Sequence, residues 1–280
     1  MIKAVVFDLD GVIRIGSTPI PGVNEVFEYL ESRNIPYMIC TNECRHTPSQ
    51  IHKMLGDLGI SLTTLTDQMI YTAGLATKDY LWIKHQQSVY EQPIQIGIVG
   101  ESGLESVLST EWLEVHSTPP AGCKYLIVGT ITKIEMHHLE KIRSWIHAGA
   151  KVITTCCDLS DPSSRGEYLS GMPNLMIHMA CGNVGDAYST GKPNPIVARG
   201  IMKHLEGRVP GIRPADVLFV GDTLYTDIRL AEESGFQSAL VLSGNSKRDT
   251  LDDYVTGPDC VIDSIRDVPK LLLARSTSLE

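Results

Sequence analysis

With 280 residues, 42% of them hydrophobic and 20% charged, the chain has the composition of a globular protein with room for about two domains of ordinary size. A formal net charge of −9 with no basic run excludes nucleic acid and anionic membrane surfaces as expected partners. No apolar run approaches the roughly 18 residues of a membrane span.

The N-terminus enters a strand at once, without a basic-then-apolar signal segment. Seven scattered cysteines, an odd number, speak for a reducing compartment rather than a disulfide framework. A cytoplasmic protein is expected. Cys156-Cys157 and the Cys40/Cys44 pair lack a C-x-x-C partner or a His cluster and read as structural thiols.

In chain order, Lys3 to Val12 is an apolar run ending in two aspartates one residue apart and a glycine. Such a run reads as a buried strand of a parallel sheet, and polar chemistry in such sheets sits just past the strands' carboxyl ends. Asp8 and Asp10 fall there, and Gly11 suits a sharp turn or a close ligand. The segment Ile13 to Pro21 reads as a flap or loop, Gly22 to Arg33 as a helix, and Tyr37 to Cys40 as a strand ending in Thr41-Asn42. A helix from Pro48 to Leu58 and a strand near Met69 to Tyr71 follow.

From Ala73 to Gly182 the alternation repeats. Helices are expected at 75–85, 104–108 and 134–147, and strands at 94–99, 125–128 and 152–155. From Gly191 the first pattern resumes, with a helix opened by Asn194-Pro195 and strands at 217–220, 239–242 and 260–262. A further helix follows Asp227 and stops at Gly235. This is the signature of a doubly wound, Rossmann-like parallel sheet. The expected division is a core of residues 1–73 and 183–280 with a smaller α/β cap of residues 74–182 inserted in it.

Four polar signals stand out: Asp8-Leu9-Asp10-Gly11, Thr41-Asn42, Gly191-Lys192-Pro193, and Gly221-Asp222 with Asp227 five positions on. Each alone also fits a turn, an N-cap or a solvated charge. Their order, with a strand directly before three of the four, points to one site. Together they supply the parts of phosphoryl transfer, which asks mainly for positioning and neutralisation of charge. Carboxylates from two strand ends can hold a hard cation. A lysine and a threonine hydroxyl can hold phosphoryl oxygens. One carboxylate can attack phosphorus, and a second can move the proton of the leaving group and of water.

The set DLDGV, TNE, GKPNP and GDTLYTD resembles the four ordered motifs of the haloacid dehalogenase-like (HAD) phosphatases. That resemblance implies Asp8 as nucleophile and Asp10 as general acid/base. It implies Thr41, Asn42, Lys192 and Gly11 at the phosphate. It implies Mg²⁺ held by Asp8, the Asp10 carbonyl and Asp222, with Asp227 in support. The 151 positions from Thr41 to Lys192 put the cap between the second and third motifs. The flap text Pro19 to Gly22 and the α/β cap resemble the p-nitrophenyl phosphatase-like, NagD-type subfamily. This implies a small-molecule phosphate ester as substrate and a homodimer joined through the cap.

Three departures bear on specificity. The usual TNN is TNE, so Glu43 brings a negative charge toward the phosphate site. The cap turn reads Thr155-Cys156-Cys157-Asp158, and the loop after it carries Arg165. Arg14, in the flap, joins Glu43, Asp158 and Arg165 as a candidate specificity residue. The alternatives left open are a phosphotransferase or mutase, a protein phosphatase, and a phosphate-ester-binding protein without turnover.

Overall fold

Short runs rich in Val, Ile and Phe become the strands, because a sheet covered on both faces needs apolar residues on both sides of each strand. The computed structural model describes residues 1–60, 63–87, 93–158, 172–251 and 257–277. β1 (Ala4–Phe7) is buried at every position. The segment expected as a flap forms a small antiparallel hairpin, β2 (Arg14–Ile15) and β3 (Thr18–Pro19). α1 (Val23–Ser32) buries Val23, Val26, Phe27 and Leu30, the spacing of one helix face. β4 (Tyr37–Thr41) is again buried throughout, and α2 (Pro48–Asp57) starts from a capping box between Thr47 and Gln50. β5 (Ile70–Thr72) runs straight into α3 (Ala73–Gln86), with Thr72 as its N-cap.

A second unit follows, built from β6 (Ile94–Val99), α4 (Ser102–Leu108), β7 (Leu113–Val115), β8 (Tyr125–Val128), α5 (Met136–His147), β9 (Lys151–Thr154), α6 (Pro173–Cys181) and β10 (Tyr188–Ser189). Its five parallel strands run in the order β10-β9-β8-β6-β7. Leu81, Leu104 and Leu108 cover one face and Ile142, Trp145 and Met176 the other. The chain then returns through α7 (Pro195–Glu206), β11 (Val217–Gly221), α8 (Arg229–Ser234), β12 (Gln237–Val241), β13 (Cys260–Ile262) and α9 (Val268–Thr277).

These complete a six-stranded parallel sheet in the order β13-β12-β11-β1-β4-β5. The architecture is therefore a Rossmann-like core with an inserted smaller α/β cap. β1 lies at the centre, with β4 on one side and β11 on the other. In open sheets of this kind the crevice beyond the carboxyl ends at such a switch point is where ligands bind. Among the described residues no helix is long and apolar enough to cross a membrane.

The core below that crevice is anchored by aromatic packing. Phe27, 1% exposed, stacks on Tyr37 at 4.7 Å between ring centroids and tilts against Phe7 at 5.9 Å. Phe27→Ala is expected to remove about 3–5 kcal/mol of stability, read as a lower urea midpoint at unchanged slope. A loss under about 1 kcal/mol would show that the contact of α1 with β4 is peripheral to the core.

Candidate active site

The end of β1 delivers Asp8, the chain after β11 delivers Asp222 and Asp227, and Lys192 reaches in from the loop before α7. The Lys192 Nζ donates to Asp8 Oδ1 at 2.6 Å, to Asp227 Oδ1 at 2.7 Å and to the Cys40 carbonyl at 3.3 Å. The lysine side chain is 3% exposed and that of Asp227 fully buried. Burial works against the ammonium, but the Asp227 and Asp8 carboxylates outweigh it and hold Lys192 well above its ordinary value. Burial likewise pushes the Asp8 carboxyl well above the usual carboxylate range, against the pull of Lys192.

Asp222 is clamped from a loop that the sequence reading passed over. Its Oδ2 accepts the Asn245 backbone N–H at 2.7 Å, and its Oδ1 accepts the Thr223 hydroxyl at 2.9 Å. Ser243 Oγ donates to the Gly11 carbonyl at 2.6 Å, tying the same loop to the turn after β1. Gly11 sits at φ +85°, and a side chain there would run into the Asp222 carboxylate. Gly244 leaves room for the same carboxylate from the other side. The signal for this loop was present: Ser243-Gly244-Asn245-Ser246 is a fifth polar run at the end of an apolar strand. Asp227 is engaged on both oxygens, since Oδ2 accepts the backbone N–H groups of Asp222 at 3.0 Å and Thr223 at 3.1 Å.

Asp10, Thr41, Asn42, Glu43 and Asp158 line the same cavity, which has a volume of about 70 Å³. Asp10 accepts Arg14 Nε at 3.1 Å, so Arg14 lies against the second aspartate of the first motif. Thr41 Oγ1 accepts the Glu43 N–H at 3.0 Å. Asn42 is engaged at both ends of its amide: Oδ1 accepts the Lys192 N–H at 2.8 Å, and Nδ2 donates to Asp158 Oδ2 at 2.6 Å. The cap turn thus reaches the second motif directly. Burial raises Asp158 to about 6. Arg165 lies outside the described residues.

Glu43 forms an ion pair. Its carboxylate takes Arg45 Nη2 at 2.5 Å and Arg45 Nε at 3.1 and 3.2 Å. Burial opposes that charge, yet the His46 and Arg45 contacts pull Glu43 down to about 2. Arg45 was not expected at the site from sequence. Next to it, Cys44 is buried against the cap, accepting the Thr130 N–H at 3.3 Å and lying 3.3 Å from the Thr155 hydroxyl. The seven cysteines are all free thiols, Cys181 exposed and the rest buried or partly so.

The donor set fits a hard cation. Carboxylate oxygens of Asp8, Asp222 and Asp227 lie within 4.8 Å of one another, all buried, with the single ammonium of Lys192 against them. An oxygen-only cluster with excess negative charge suits a divalent ion that prefers oxygen ligands.

The chain is similar to known hydrolases. The sequence profile of the haloacid dehalogenase-like hydrolases matches residues 5–111, and a HAD-hydrolase-like profile matches residues 189–268. Dihydroxyacetone phosphatase of Corynebacterium glutamicum (strain R) is 28% identical over 263 residues, which span 93% of this chain and 88% of the relative. The 5'-nucleotidase YutF of Bacillus subtilis (strain 168) is 27% identical over 264 residues, 94% and 96% of the two chains. The solved structure of NagD from E. coli K-12 superposes with a TM-score of 0.78 at 25% identity, covering 95% of this chain and 98% of that one.

Burial first, and the Asp227 charge second, raise Asp222 to about 7. An acid raised on folding favours the protonated folded state. Stability without a cation therefore falls as pH climbs from the ordinary carboxylate value toward about 7, and a bound cation takes the proton's place above it. Millimolar Mg²⁺ is expected to raise the melting temperature more near pH 8 than near pH 5. An equal or reversed shift, measured by thermal unfolding at the two pH values, would count against the cluster as the cation site.

Proposed function

We propose that this chain, which belongs to the haloacid dehalogenase-like hydrolases, is a Mg²⁺-dependent phosphatase that hydrolyses small phosphomonoesters through a phospho-aspartate on Asp8. The observation that carries the reading is the buried contact of Lys192 with Asp8 at 2.6 Å, inside a cavity also lined by Asp10, Thr41, Asn42 and Asp222. Relatives named as a dihydroxyacetone phosphatase and a 5'-nucleotidase support a sugar, glycolytic or nucleotide phosphate as the substrate.

Asp8 and Asp222, with the Asp10 carbonyl, would hold the ion, and Asp227 would support them by fixing Lys192 and the 222–223 backbone. When bound, the ion supplies positive charge to the phosphoryl oxygens and to the carboxylate that attacks. Lys192 and Thr41 hold the phosphoryl oxygens, and Asn42 joins them by exchanging its bond to Asp158. An Asp8 oxygen attacks phosphorus as the ester oxygen departs, and Asp10 gives that oxygen its proton. Asp10, now a carboxylate, takes a proton from water, whose oxygen attacks the phospho-aspartate. Phosphate leaves and the Asp8 carboxylate is restored. Arg14 orients Asp10 through the contact to Oδ1.

The division into a core of residues 1–73 and 183–280 and a cap of residues 74–182 belongs to the same proposal. The cap closes the cavity from above, which excludes bulk water from the phospho-aspartate. The hydrogen bond from Asn42 to Asp158 supports that arrangement.

Asp8→Asn is expected to abolish phosphate release from every ester, as is chelation by EDTA. Asp10→Asn is expected to lose on the order of 10²–10⁴-fold with an alkyl phosphate, and far less with p-nitrophenyl phosphate, whose leaving group needs little protonation. Equal losses on the two esters would remove Asp10 as the acid. Turnover by Asp8→Asn would remove the covalent route.

A further inference from the structure

Glu43 is the residue at which the second motif departs from its usual TNN, and its side chain is 4% exposed. A buried carboxylate beside a phosphate site repels the ligand unless a cation offsets it. Arg45 does so with a forked contact: Nη2 and Nε both donate to Oε2, Nε also reaches Oε1, and the backbone N–H of Arg45 donates to Oε1 at 2.5 Å. The fork uses one edge of the guanidinium. Among the described residues Nη1 has no hydrogen-bond partner. A neutral amide at position 43 would avoid the charge altogether, so what the acid adds is a fixed guanidinium. Arg45 is also held by its backbone, its carbonyl accepting the Gly103 N–H at 3.1 Å. Gly103 has no side chain to obstruct that approach, and any Cβ there would strike the same carbonyl.

Among the described residues, the cavity wall carries the carboxylates of Asp8, Asp10, Glu43, Asp158 and Asp222, and its cations are Lys192 and Arg45. Lys192 is committed to Asp8 and Asp227 at the phosphoryl end. Among these described residues, Arg45 is the cation left to meet an ester's second negative charge. We propose that Arg45, positioned by Glu43, is a specificity-determining residue that receives a second anionic group, carboxylate or phosphate, on the leaving group of the substrate. This rests on the phosphatase reading above. Planar, bidentate recognition of such groups is what a guanidinium held in one orientation provides.

The test compares three esters: glycerol 3-phosphate, 3-phosphoglycerate, which replaces its terminal alcohol by a carboxylate, and 1,3-propanediol bisphosphate, which ends in a second phosphate. The wild-type chain with Mg²⁺ is expected to favour at least one anionic ester over glycerol 3-phosphate by on the order of 10- to 100-fold in kcat/KM. Whichever of the two is favoured identifies the second group. Arg45→Met is expected to bring that ratio toward one, chiefly through KM. Arg45→Lys, which keeps the charge without the fork, should fall between. Glu43→Gln should lose part of the preference, again through KM, because the guanidinium is no longer fixed.

The inference is overturned if neither anionic ester is favoured by the wild type, or if Arg45→Met and Arg45→Lys depress all three esters equally. Failure of the wild type to hydrolyse any ester, p-nitrophenyl phosphate included, would overturn the phosphatase reading itself and this inference with it. The wild-type assay thus separates the two failures before any variant is made.

Discussion

One buried ammonium ties the site together. The Lys192 Nζ contacts Asp8 beyond β1, the Cys40 carbonyl on β4 and Asp227 beyond β11, so it spans three adjacent strands of the core sheet at their carboxyl ends. Such a charge survives burial only with partners in place on every side. Each partner is fixed in turn. Asp8 follows a strand buried at every position, and Asp227 is held by two backbone N–H groups. Asn42 accepts the lysine's own backbone N–H. Removing the ammonium would leave two buried carboxylates facing each other, and removing either carboxylate would leave the other paired to a charge with less to balance it.

The same constraint explains the loop after β12. Asp222 lies beside Asp8 and Asp227, and the Asp227 charge raises the Asp222 carboxyl on top of the dominant effect of burial. The Asn245 N–H and the Thr223 hydroxyl stabilise the charged form, and Gly11 and Gly244 leave the space for it. These contacts do not cancel the excess of negative charge. What they do is fix its position, so that a divalent ion meets oxygens already in place and little reorganisation is needed. The catalytic reading and the stability of the apo chain thus pull in opposite directions at one cluster, as sites built for charged ligands generally do.

Much of this could be read from sequence. Parallel strands of a covered sheet are near-continuous apolar runs, so β1, β4, β5, β6, β8, β9, β11, β12 and β13 were recognisable, and polar residues just past several of them marked the site. Elements without such a run were not. β7 and β10 are three and two residues long, and the β2/β3 hairpin pairs only two residues on each side. α6 is short of polar residues for one face, with a run from Leu175 to Ala180 that gives no clear helical stripe. The five-residue π-turn at Leu224–Ile228, which turns Asp227 back toward its own loop, has no sequence signature of this kind. Side-chain partners were the least legible. The sequence showed Glu43 as an added charge but not its pairing, because Arg45 is two positions away and nothing local says which way either side chain turns.

That pairing changes what the departure from TNN means. A lone glutamate would have opposed a phosphate dianion, whereas the pair is electrically neutral in itself and Arg45 lines the cavity. The segment that carries it is also where the core meets the cap. Cys44 bonds to Thr130 and sits against Thr155, while the Arg45 carbonyl takes the Gly103 N–H. On the proposed reading, the residues that set the charge at the leaving-group end would be part of this seam. A ligand drawing on Arg45 would then load the same short stretch of backbone that the proposed cap closure uses. Recognition of the leaving group and exclusion of water from the phospho-aspartate would then be coupled through Cys44 and Arg45 without any longer pathway between them.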